Sequence, residues 1–146
     1  MINSFDVILR LLVTLILCGL VGFEREVHGR AAGLRTHILV GLGACLIMLT
    51  SLYVFDIYSD VANVDPTRIA AGVVTGIGFL GAGAIIRYGE AVKGLTTAAT
   101  LWIVSAIGLS IGCGFYIAGL AASVFVLVVL IVLRRFETVL HKNTGG

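Results

Sequence analysis

Residues 95–133 run for 39 positions without a charged side chain. As one α-helix this run would reach about 58 Å at about 1.5 Å per residue. The hydrocarbon core of a bilayer is roughly 30 Å thick. The run must therefore fold back on itself, and Gly112-Cys113-Gly114 near its middle supplies the turn. Three further apolar runs precede it, at 7–23, 38–55 and 69–86, and the long run divides into 95–113 and 115–133. The expectation is an all-α membrane protein of five transmembrane helices. Residues 1–136 would form the transmembrane domain and 137–146 a short tail.

Composition agrees. Of 146 residues 59% are hydrophobic and 12% charged, against roughly a quarter charged in soluble domains. Little chain is left for a catalytic domain outside the bilayer, so a dinucleotide fold, a nuclease fold or a zinc-finger array has no room. A net charge of +2 is too small to argue for nucleic acid. Cys18, Cys45 and Cys113 all sit inside apolar runs, odd in number and without metal-ligand spacing, and read as buried thiols. Residues 1–6 lack the basic region of a signal peptide, and no small-residue cleavage site follows. The first segment reads as a permanent helix.

Lysine and arginine set the orientation. The odd-numbered loops and the tail hold Arg25, Arg30, Arg35, Arg87, Lys93, Arg134, Arg135 and Lys142, and the other side only Arg10 and Arg68. That asymmetry places the N-terminus outside and the C-terminus in the cytoplasm. The acids divide by type, with Asp6, Asp56, Asp60 and Asp65 outside and Glu24, Glu26, Glu90 and Glu137 inside.

Gly33-Leu34-Arg35-Thr36 and Gly94-Leu95-Thr96-Thr97 each close a cytoplasmic loop, 61 residues apart. Gly22 and Gly83 each lie 11 residues before the corresponding Gly-Leu. The pattern suggests a parallel repeat of two hairpins with a fifth helix appended, an arrangement transporters use. In the first loop acids and bases alternate through Glu24, Arg25, Glu26, Arg30, Arg35, Thr36 and His37. Thr36 or Thr97 could cap a helix start, and arginines beside it would make a site for a phosphate or a lipid headgroup. With Arg87, Thr96 and Thr97 from the second cytoplasmic loop, these residues form the candidate cytoplasmic-loop site. Plain topology control by basic loops on anionic lipid is the alternative. His28 and His37 are too far apart in sequence for a paired metal site, and no metal or cofactor is expected.

Asp65-Pro66 marks a helix start, Asp as N-cap and Pro at the first helical position; Asp65 and Arg68 are the outer-face candidates. The helix that follows carries Gly72, Gly76, Gly78, Gly81 and Gly83. At about 100° per residue, Gly72, Gly76 and Gly83 fall within about 40° of one another, and Ala71, Thr75, Gly78 and Ala82 within about 60° on a second face. Small residues let helices approach closely in a bilayer. The five glycines, with Trp102, are the candidate packing residues, and two small faces predict two tightly held neighbours. A pliable helix along a conduction path is the functional alternative. No acidic residue lies near the centre of a span, which counts against proton coupling.

The motifs Gly22-x-Glu24-Arg25-Glu26, Gly29-Arg30-x-Ala32-Gly33-Leu34-Arg35-Thr36-His37, Gly76-Ile77-Gly78-Phe79-Leu80-Gly81-Ala82-Gly83 and Gly94-Leu95-Thr96-Thr97-Ala98-Ala99-Thr100-Leu101-Trp102 occur in this order. Through them the chain resembles the MgtC/SapB family of bacterial inner-membrane proteins. The resemblance implies a multi-pass inner-membrane protein linked to growth at low magnesium and, in virulence-associated members, to survival inside macrophages. It further implies a regulator of other membrane machines, including the proton-driven ATP synthase, although members often carry a magnesium-transporter label. Virulence-type members typically have asparagine and cysteine where this chain has Thr96 and Ile103. Many also carry a small cytoplasmic domain where residues 134–146 stand, so the chain reads as a short form. These departures bear on the virulence role and not on the fold.

The functional expectation is a non-enzymatic regulator in magnesium homeostasis, working through its cytoplasmic loops and small-residue helix faces. Its partners would be the lipid bilayer, a second copy (a dimer above all) and a membrane protein such as the ATP synthase. The alternative is an oligomeric transporter or channel for magnesium or another small solute. No nucleophile–base pair supports an enzyme.

Overall fold

The computed structural model describes residues 2–61, 63–88 and 91–136. The chain forms α1 (Ser4–Val27), α2 (Leu34–Tyr58), α3 (Pro66–Ala84), strands β1 (Ile86–Tyr88) and β2 (Ala91–Lys93), α4 (Leu95–Gly112) and α5 (Tyr116–Val128). α5 continues through a π-helical turn at Val129–Leu133. Among the described residues five helices are long and apolar enough to cross a membrane. The expected tail at 137–146, with Glu137, His141 and Lys142, lies outside the described residues, as does Glu90.

The first two helices outrun their apolar stretches. Glu24, Arg25 and Glu26, expected in a loop, are the last turn of α1, and Leu34 to His37 are the first turn of α2. Glutamate and arginine are good helix formers, so nothing stops α1 at the membrane boundary. It stops at Gly29, which takes φ +61° while Gly29 N–H bonds Glu26 O and Arg30 N–H bonds Arg25 O. The same pair of bonds closes α4, with Gly114 at φ +88°. Both are Schellman ends, which need a left-handed residue. The expected turn in the long apolar run is therefore present, and Arg10 fastens it by donating to Gly112 O at 2.7 Å.

α3 begins as read, with Asp65 as N-cap and Pro66 in the first turn. Its end differs. The helix expected over 69–86 stops at Ala84, and Ile86 opens an antiparallel hairpin in which Ile86 faces Lys93 and Arg87 faces Val92. The threonine caps are also corrected. Gly33 and Gly94 are the N-caps of α2 and α4, and neither helix start is capped by the threonine that follows.

α4 packs against all four other helices, and the core beside it joins Leu17, Cys18, Val21, Val104, Ile107, Ile111 and Leu130. Cys18 and Cys45 are buried as expected, but Cys113 is not: it lies in the turn that closes α4 and is exposed. In lipid the apolar effect does not hold helices together, so close packing must. The glycines that permit it lie on α1, α2, α4 and α5. A methyl on Gly22 would stand 2.9 Å from both His37 Cβ and Leu34 Cα, and one on Gly112 would stand 2.8 Å from Cys45 O and Met48 Cβ. Gly108 likewise faces Gly41 O, and Gly41 faces Cys18 Sγ. α3 does lie against two helices, α2 and α4, but its glycines do not make the contacts. Gly81 has ordinary contact with Ala98 at 3.6 Å, while Gly72, Gly76, Gly78 and Gly83 meet no described atom within 4 Å. Those four positions are open in the single chain.

Candidate functional site

The ends of α1 and α5 and the starts of α2 and α4 gather at one end of the bundle, together with the hairpin. Glu24 and Arg25 are buried there, at 7% and 4% exposure. Burying charge is unfavourable unless partners replace water, and the partners are incomplete. Glu24 Oε1 lies 2.9 Å from His28 Nδ1, which also reaches Glu24 O at 2.7 Å. Arg25 approaches Glu24 Oε2 only to 3.8 Å, too far for a hydrogen bond. Sequence neighbours on a helix do not face each other. Buried Glu24 Oε2 and Arg25 Nε are left without a hydrogen-bond partner among the described residues.

His37 sits across from this pair on α2, fully buried. Its Nδ1–H donates to Gly33 O at 2.8 Å, and its Nε2 has no partner among the described residues. The close α1–α2 approach at Gly22 brings it here. Glu26 points the other way: its Oε2 accepts from Leu34 N–H at 3.0 Å and caps α2. The positive end of α2 is thus already occupied by the chain's own carboxylate. The start of α4 has no side-chain cap.

Two cavities adjoin the cluster. One of about 280 Å³ is lined by Arg25, Arg30, Thr96, Val129, Leu130, Leu133 and Arg134. The second, about 730 Å³ and open, includes Glu24, His28, Arg134 and Arg135 in its walls. A guanidinium-lined cavity can hold an anion and orient it. Among the described residues no group of three or more His, Cys, Asp or Glu could hold a metal ion.

Of the cytoplasmic-loop candidates, then, Glu24, Arg25 and His37 come together, with Arg30 and Thr96 at the adjoining cavity. Glu26 serves as a cap. Arg35 and Thr36 are exposed on the first turn of α2, and Arg87 is exposed on β1. Thr97 is buried, its carbonyl accepting from Thr100 Oγ1 at 2.8 Å. Trp102, expected among the packing residues, is exposed on α4 in the single chain. Asp65 and Arg68 lie at the opposite end. The Asp65 carboxylate accepts from Thr67 Oγ1 at 2.7 Å and Thr67 N–H at 2.8 Å, and these bonds hold it below the usual carboxylate range. Three participants were not picked out as site residues: His28, Arg134 and the π-helical turn. His28 follows Glu24 by four residues, a helical pairing signal that shows only once α1 is extended through both.

A bundle with five such apolar helices is a membrane protein. The chain belongs to the MgtC family, whose pattern it matches over residues 11–139. It is 47% identical over 141 residues to an Escherichia coli (strain K12) protein named "Putative magnesium transporter YhiD", covering 94% of this chain and 66% of that one. It is 45% identical over 131 residues to "Protein MgtC" of Salmonella typhimurium (strain LT2), covering 90% and 54%. The figures for "Protein MgtC" of Brucella abortus (strain 2308) are 45% over 128 residues, covering 86% and 50%. The chain spans between half and two thirds of the length of these curated relatives. No solved structure matches it.

Proposed function

We propose that this protein is a non-enzymatic, multi-pass protein of the bacterial inner membrane that serves magnesium homeostasis by regulating another membrane machine. Its Arg-rich end lies in the cytoplasm and its N-terminus outside, and it works as a homo-oligomer, a dimer above all. The ATP synthase is the kind of partner the family resemblance implies. One observation carries the regulatory reading: the described polar groups of the site collect at one end, while the core along α1 and α4 is closed by Leu17, Val21, Val104, Ile107 and Ile111. A hydrated cation crossing one protomer would have to pass that apolar core, and charge in hydrocarbon is costly. The name of the Escherichia coli relative supplies the link to magnesium.

The test is growth at low magnesium in a strain lacking the protein, complemented with Glu24→Ala or Arg35→Ala, with membrane levels measured alongside. Loss of growth at normal membrane levels is expected. Full complementation by both variants would overturn the reading.

A transporter assembled from several copies is the second reading. It is favoured by an apolar groove of about 760 Å³ between α2 and α3, in which Gly43, Gly72 and Gly76 leave the backbone open.

A further inference from the structure

We infer that α3 is the surface on which two copies of this chain meet, the glycine face of one α3 against that of the other about a two-fold axis. The inference rests on the homo-oligomer part of the proposed reading and gives that assembly its surface.

Gly72, Gly76 and Gly83 lie within about 40° of one another around α3. No described atom comes within 4 Å of a methyl placed on any of them. Glycine inside a helix is unfavourable beside alanine, and no described part of the chain uses the room these three leave. Gly72-Val73-Val74-Thr75-Gly76 has the spacing at which two transmembrane helices approach backbone to backbone.

Coverage points the same way. α5 is the most apolar of the five spans and is little covered by the rest of the chain, while α4, much less apolar, is covered most. That is the order lipid demands, since polar surface turned to hydrocarbon is costly. α3 breaks it: the least apolar span is also the least covered. Such a helix calls for protein beside it rather than lipid.

The face is complementary to itself, which identifies the protein as a second copy. Phe79 is 82% exposed and falls within about 20° of Gly72 around the helix, between Gly76 and Gly83 along it. Copies inserted the same way set their α3 helices parallel, with equal levels facing. The Phe79 ring of each copy then lies over the gap that Gly76 and Gly83 open in the other. Charge is complementary in the same sense. Arg68 stands one turn before Gly72 and within about 40° of it, and Asp65 caps the helix just before; both are exposed and opposite in sign. Arg68 of each copy meets Asp65 of the other, and a two-fold axis makes every such contact twice. A foreign helix would have to supply both halves, whereas a second copy has them. Gly72 and Gly76 also wall the groove beside α2, which gives room to the side chains flanking the contact.

The experiment places single cysteines in the full chain carrying Cys113→Ser, whose remaining thiols Cys18 and Cys45 are buried. Native membranes are then oxidised with copper phenanthroline. Gly72→Cys and Gly76→Cys should each give a disulfide-linked pair of twice the chain's mass. Ala82→Cys, on the second small face of α3, and Leu120→Cys, exposed on α5, should not. Pairing by all four alike, or by the last two alone, would overturn the surface. An adduct of any other mass would put a different protein there and overturn the second copy. No adduct at Gly72 or Gly76 would also overturn the surface, and the mass of the native chain by light scattering then decides whether the homo-oligomer falls with it. Self-association in liposomes, read by energy transfer between dyes on the exposed Cys113, gives the strength. Gly76→Leu should weaken it by at least about fivefold through overpacking, with helicity and Trp102 fluorescence unchanged. Arg68→Glu should weaken it by up to about fivefold, the range of an exposed ion pair. Ala82→Leu should change it by about twofold at most, and a loss as large as that of Gly76→Leu would overturn the surface. The regulatory reading is tested by growth at low magnesium and stands or falls separately.

Discussion

Gly22 and Gly83 occupy matching places in the two Gly-Leu motifs, yet the fold treats them in opposite ways. An alanine at Gly22 puts a methyl 2.9 Å from Leu34 Cα and 2.9 Å from His37 Cβ, and 3.1 Å from Leu34 O. Two of those atoms are backbone, so no flexible side chain can swing aside. Relief needs α1 and α2 to part by most of an ångström, and a gap of about 0.5–1 Å forfeits roughly a quarter to a half of the dispersion energy of the contacts it opens. Overpacking of this kind is worth about 1–3 kcal/mol. Alanine's helix preference over glycine returns about 1 kcal/mol, so Gly22→Ala should lose up to about 2 kcal/mol net. At Gly83 a methyl meets no described atom within 4 Å. Gly83→Ala should be neutral or gain up to about 1 kcal/mol. At the middle of these ranges the two variants differ by about 1.5 kcal/mol, or roughly tenfold in the unfolding constant. Unfolding in mixed micelles of rising dodecyl sulfate content, followed by helicity and by the fluorescence of Trp102, reads the difference. Equal stability of the two variants would refute the argument that backbone contact between α1 and α2 sets this crossing.

Glu26→Ala removes the cap on Leu34 N–H and should lower stability by about 1 kcal/mol, seen in the same unfolding titration. Arg10→Met breaks the bond to Gly112 O; a charged hydrogen bond is worth about 1.5–3 kcal/mol, of which removing the unpartnered Arg10 Nε returns part. The Asp65 carboxyl is held below its ordinary value by Thr67. Its contribution is therefore complete above that ordinary value and is lost as pH falls through it toward the lowered one. Unfolding followed from about pH 5 to about pH 3 should show this fall in the native chain and not in Asp65→Asn. Gly76→Leu starts its side chain in open space, so the single chain should stay as stable. If a second copy covers that face, its mass in detergent by light scattering drops to the monomer, and an unchanged mass shows the face turned to lipid.

The spans were legible because length and charge decide them. A charge-free run of 39 residues has to turn, and Gly114 supplies the positive φ there. Asp65-Pro66 was equally readable as a helix start. The packing was not. Core and lipid are equally apolar, so hydrophobic periodicity does not say which side of a membrane helix meets protein. The dense glycines of α3 drew the reading, while Gly22, Gly41, Gly108 and Gly112 permit the close approaches. Gly108 and Gly112, four apart, carried the small-xxx-small signal that would have found two of them. The hairpin escaped because strands of three residues are too short to show alternation. At the charged end, Glu24, Arg25 and His37 were chosen by residue type. Their burial depends on α1 and α2 continuing past the apolar runs, which charged letters conceal.

The central claim is that this protein regulates rather than conducts. Purified protein reconstituted in liposomes with an entrapped magnesium-sensitive dye tests it most directly. Magnesium entry no faster than in empty liposomes, with folded and correctly inserted protein, is the predicted result. Protein-dependent, saturable entry would contradict the claim and make the glycine-lined groove between α2 and α3 the path to examine.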